Sequence, residues 1–95
     1  MLFRSTRATR RRLTSAERIA RSAEWLANAG RYLQIARTRA ALQGAAEGYH
    51  EAAVRNVAAA AAETDPRTQL VLMEQVGQHA RMAQLYLAKA DEAGG

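Results

Sequence analysis

Arg4, Arg7, Arg11 and Arg18 follow one another at intervals of 3, 4 and 7 residues, a spacing that puts them on one face of a helix. Arg10, Arg12 and Arg21 flank that row. A guanidinium stays charged and donates two parallel hydrogen bonds to a phosphate, so a row of them suits a polyanion. Such binding releases counterions and falls steeply with salt. The placement of these arginines is more telling than their number. Residues 1–21 hold seven arginines and one acid, Glu17, a net charge of +6, whereas residues 22–95 sum to −1. Thirteen arginines to one lysine beside 23 alanines is what a GC-rich coding sequence produces and says little by itself. A basic beginning on a neutral body is the asymmetry of an interaction tail. Nucleic acid is the expected partner, through Arg4, Arg7, Arg10, Arg11, Arg12, Arg18 and Arg21. An acidic protein surface, or a neighbour in a larger assembly, is the alternative.

Glu47-Gly-Tyr-His50 is a Glu-x-x-His. Its spacing places a carboxylate and an imidazole on one helical face, as in di-iron helical bundles. A second such motif is missing, since His79 has Gln75 and Gln78 at those offsets rather than carboxylates. A metal-binding bundle through Glu47 and His50 is therefore a second alternative, and a surface ion pair is the plainer reading. Nucleophilic catalysis finds no support. Ser5, Ser15 and Ser22 sit in the arm and the helix after it, there is no cysteine, and no glycine-rich phosphate loop occurs. The chain reads as non-enzymatic, without a cofactor.

The elements that would carry these residues are helical. Thr14-Ser15-Ala16-Glu17 matches a capping box, with Thr14 as N-cap. From Ser15 to Glu63 there is no proline, and apolar residues recur at three and four: Ile19, Ala23, Leu26, Ala29 and Leu33, then Leu42, Ala46, Tyr49, Ala53, Val57 and Ala60. Asn28 and Gly30 offer a helix end near Gly30; otherwise the helix runs on. Gly44 and Gly48 suit close helix approach. Thr64-Asp65-Pro66-Arg67 marks the strongest boundary, with Asp65 as a cap and Pro66 at the first helical position. A last helix is expected over 66–90, with Met73, Val76, Ala80, Ala83 and Leu87 facing the core, supported by Leu70, Leu72 and Met82.

Length constrains the packing. An unbroken helix over 15–63 would be roughly 73 Å long, and the last one about 38 Å. A simple hairpin would strand Ile19, Trp25, Leu26, Tyr32 and Leu33 in water, which argues for a fold-back or for a protein interface at those five residues. The expected fold is all-α and alanine-rich, a helical hairpin or three-helix bundle at 14–95 preceded by a basic N-terminal arm at 1–13. A homo-oligomer, or a structural protein within a larger assembly, is expected because alanine buries little area. No stretch is long and apolar enough to span a membrane. A location in the cytoplasm or within an assembled particle fits these features. A mitochondrial presequence is a minor option, because the beginning is rich in Arg, Ser and Thr and free of acid up to Glu17.

Overall fold

The computed structural model describes residues 13–93. Three helices follow in order: α1, Ser15–Ile35; α2, Arg39–Ala62; and α3, Pro66–Ala93. Among the described residues there is no strand. The protein is all-α, a three-helix bundle in which α2 and α3 pack along their length and α1 lies against both more loosely. Two three-residue connections make each helix antiparallel to the next. No described helix is long and apolar enough to cross a membrane.

Local chemistry sets the ends. The Thr14 hydroxyl accepts from the Glu17 N–H, and the Thr14 N–H donates to Glu17 Oε1 at 2.8 Å, completing the expected capping box. Asp65 caps α3, accepting from the Thr68 N–H at 2.9 Å and from its hydroxyl at 2.6 Å. The first helix does not end near Gly30. It runs through that glycine, whose φ is not positive, and stops at Ile35. Asn28 takes no capping role because its Nδ2 donates to the Glu24 carbonyl inside the helix. The break falls instead at Ala36–Thr38, where backbone at Ala36 and Thr38 is extended and the Thr38 hydroxyl accepts from the Ala41 N–H.

The buried stripe of α2 is Leu42, Ala46, Tyr49, Ala53, Asn56 and Ala60. That of α3 is Leu72, Gln75, His79, Ala83, Tyr86 and Ala90. Alanines on both stripes let the backbones approach closely. The α3 stripe corrects the sequence expectation: Leu70, Met73, Ala80 and Leu87 are exposed, Val76 is half-buried, and Val57 of α2 is exposed while Asn56 is buried. The rotation brings Tyr86 and Leu72 fully inside, and burying an aromatic ring of 150–250 Å² outweighs burying a methionine or leucine edge. It also carries Gln75 and His79 inward, so one end of the interior is polar.

Side chains of α2 and α3 hold α1 by its backbone. Gln75 Nε2 donates to the Ile19 carbonyl at 3.0 Å, the Tyr49 hydroxyl to Trp25 at 2.8 Å and the Tyr86 hydroxyl to Ala29 at 2.6 Å. The Lys89 ammonium donates to the Leu33 carbonyl. That carbonyl belongs to the last turn of α1, which has no basic residue of its own, so Lys89 supplies the cation that a helix C-terminus favours.

Candidate functional site

Because α1 and α2 are antiparallel, the beginning of α1 meets the second half of α2, and Ser15 donates to Glu63 there. Arg18 and Arg21 of α1 thereby come beside Arg55, more than 30 residues away in sequence. Together they border a cavity of about 120 Å³ between the helices, walled by Ser22, Trp25 and Gly48. Glu51 is the only carboxylate on its lining and pairs with Arg55 at 3.7 Å. Burial, then Arg55, then Arg21 lower the pKa of the Arg18 guanidinium, which still stays protonated. Arg18 and Arg55 also border a second recess of about 370 Å³, which begins at Leu13, the residue after Arg10–Arg12.

Trp25 joins this cationic cleft to an aromatic groove. With Tyr32 and Tyr49 it lines an open space of about 540 Å³ between α1 and α2, floored by Ala41, Gly44 and Ala45. The Trp25 ring stands edge-on to Tyr49, centroids 5.3 Å apart. Its far edge presses on Gly48, where an added Cβ would lie 3.1 Å from Cζ3. Gly48 thus does permit close approach, whereas nothing lies within 4 Å of a Cβ at Gly44. Trp25 remains 43% exposed and Tyr32 39%.

Behind the cleft lies a polar interior. The Ser22 hydroxyl donates to Asn56 Oδ1 at 3.1 Å. Asn56 Nδ2 donates to the Leu72 carbonyl and to Gln75 Oε1, at 3.3 and 3.2 Å. Gln75 passes the chain on to Ile19. His79 is the exception: it is completely buried, it borders the cleft, and neither ring nitrogen has a hydrogen-bond partner among the described residues. Burial holds its imidazole below the ordinary histidine range. Its ring lies 5.9 Å from that of Tyr49, which stacks on Tyr86 at 5.4 Å. Burial, with Tyr49 and Tyr32 nearby, pushes the Tyr86 hydroxyl up to about 12.

Of the residues picked out from sequence, Arg18 and Arg21 share the cleft, while Arg4, Arg7, Arg10, Arg11 and Arg12 lie outside the described residues. Ile19, Leu26 and Leu33 are half-buried within the bundle, and Trp25 and Tyr32 stay partly open. Glu47 and His50 are exposed on α2. Among the described residues no three His, Cys, Asp or Glu side chains come together to hold a metal ion. Sequence reasoning missed Arg55 and Asn56, and weighed His79 only as a metal ligand. The available signal was the strict three-four repeat of positions 42, 46, 49, 53, 56 and 60, which puts Asn56 on the buried stripe. A further surface went unnoticed: Val54, Val57, Leu70, Met73 and Leu87 leave large apolar side chains exposed on α2 and α3. Comparison with protein-family models, with curated proteins and with solved structures found no match.

Proposed function

We propose that this chain is a non-enzymatic binding protein that engages a polyanion, nucleic acid, through its basic arm and the cleft at the start of α1. The observation that carries the reading is the meeting of Arg18, Arg21 and Arg55 at a cavity with a single carboxylate, continuous through Trp25 with an aromatic groove. Like charges brought together on a folded surface repel, and an anionic ligand relieves that repulsion. Exposed rings beside arginines suit a single strand, whose bases stack on aromatic faces while phosphates meet guanidinium groups. The seven arginines from Arg4 to Arg21 extend the same charge along the chain.

Titration of the full chain with labelled single-stranded and duplex oligonucleotides across a salt series tests this. Binding should fall linearly on a log–log salt plot. Arg55→Ala should weaken it, and joint change of Arg10, Arg11 and Arg12 to Ala should weaken it further and flatten the salt slope. Binding that ignores both salt and these changes, or no binding at low salt, sinks the proposal.

A second reading, a structural subunit that self-associates, is favoured by the exposed apolar side chains Val54, Val57, Leu70, Met73 and Leu87. Val57, Leu70 and Met73 share one surface recess, and exposed apolar patches of this kind mark association surfaces. Sedimentation of the purified chain should then show an oligomer that Leu70→Glu with Met73→Glu dissociates. A wild-type chain that stays monomeric at high concentration removes this reading.

A further inference from the structure

We infer that the cavity bordered by Arg18, Arg21, Arg55 and His79 seats a single phosphoryl dianion, the terminal group of a phosphate monoester or free phosphate. The inference rests on the polyanion reading above for the class of ligand and adds where one group of it binds.

Size comes first. About 120 Å³ is room for several waters, and so for one phosphoryl group. Charge comes second. Three guanidinium groups face one carboxylate, Glu51, which already pairs with Arg55. Arginine forks match the tetrahedral edge of a phosphoryl group, and several of them neutralise a dianion better than a monoanionic diester. The third point is independent of the arginines. His79 is wholly buried and both its ring nitrogens lack a partner. Every other buried polar side chain in this region, Ser22, Asn56 and Gln75, is hydrogen-bonded. A buried donor left over from an otherwise satisfied network calls for a ligand atom.

The proton inventory gives the sign of the pH effect. His79 is faced by Arg18 and Arg21 from α1, and by Glu51, Arg55 and the Tyr49 ring from α2. Burial lowers its pKa in the empty site. An anion beside it favours the imidazolium, so the affinity of an anion of fixed charge should rise as pH falls below the ordinary histidine range.

The test uses the full chain, with sulfate as a probe that does not titrate near neutrality and phosphate as the second probe. Trp25 is the only tryptophan and lines the cavity, so its fluorescence reports occupancy. Proton–nitrogen spectra follow the His79 ring. Both anions should perturb Trp25 and raise the His79 pKa, and sulfate, whose charge is constant, should bind more tightly at lower pH. Arg55→Ala should weaken them about tenfold. His79→Gln, checked for fold by circular dichroism, should remove the pH dependence of sulfate binding. An oligonucleotide with a 5′-phosphate that binds about tenfold better than its 5′-hydroxyl twin identifies a strand end as the source; equal binding with phosphate still seated at Trp25 identifies the free anion. If neither anion nor the 5′-phosphate perturbs Trp25 or His79, the inference is wrong, even if oligonucleotides bind the arm. If the anions bind while no oligonucleotide does, the seat stands and the nucleic-acid proposal fails.

Discussion

The interior of this bundle has two ends built from different materials. Around Tyr86 the packing is aromatic and aliphatic: Tyr86 stacks on Tyr49, tilts against Tyr32 and shares its surroundings with Leu42, Ala46, Ala83 and Ala90. The two buried phenols there have acceptors, Ala29 for Tyr86 and Trp25 for Tyr49. Around His79 the interior is Ser22, Asn56 and Gln75, saturated by mutual hydrogen bonds, with His79 left unpaired. The aromatic end gains from area removed from water. The polar end gains little net free energy, because its hydrogen bonds replace bonds to water. The first end therefore holds the fold, and the second, with its unpaired imidazole, sits behind the arginine cleft.

Substitutions can break this contrast. Tyr86→Ala, at the aromatic end, should cost the most, about 3–5 kcal/mol in urea unfolding, close to the whole stability of a chain this size. A loss below about 1 kcal/mol would mean that Tyr86 is not the anchor. Asn56→Ala, at the polar end, should cost less, roughly 1–3 kcal/mol, because Ser22 and Gln75 lose a partner while little apolar area is removed.

Acidification just below the ordinary histidine range should act at the polar end, through His79. The folded-state pKa of His79 lies below its unfolded value of 6.5, so the unfolded chain binds more protons between the two. The contribution of neutral His79 is fully present above that unfolded pKa and is lost as pH falls toward the folded one. Stability of His79→Leu should be flatter over this range than that of the wild type, and the two curves should converge in shape above it. Parallel curves throughout would show that His79 does not set the slope.

The smallest effects compare two glycines of α2. Gly44→Ala meets nothing within 4 Å and should stabilise by up to about 1 kcal/mol through helix propensity. Gly48→Ala puts its Cβ 3.1 Å from the Trp25 ring, so the same gain should be offset and Trp25 fluorescence should shift. Equal stabilisation at both sites without a spectral change would mean that the Trp25 ring yields freely.

The sequence by itself determined the all-α class, the capping box at Thr14, the Asp65–Pro66 start of α3 and most of the α2 stripe, because these depend on residues within one turn of each other. It also placed the excess charge at residues 1–21. Only the tertiary structure decided where the first helix breaks, since Asn28 could bond inward or cap and Thr38 offered a competing cap. The rotation of α3 was likewise beyond reach. Met73, Ala80 and Leu87 make as good a helical stripe as Leu72, Gln75, His79 and Tyr86 by spacing, and more apolar. The choice turned on whether Tyr86 could stack on Tyr49 and reach the Ala29 carbonyl 57 residues away. The same long-range pairing carried Arg55 to Arg18 and left His79 unpaired behind them. The basic character of the beginning was thus local information, whereas the cleft that continues it is a product of packing.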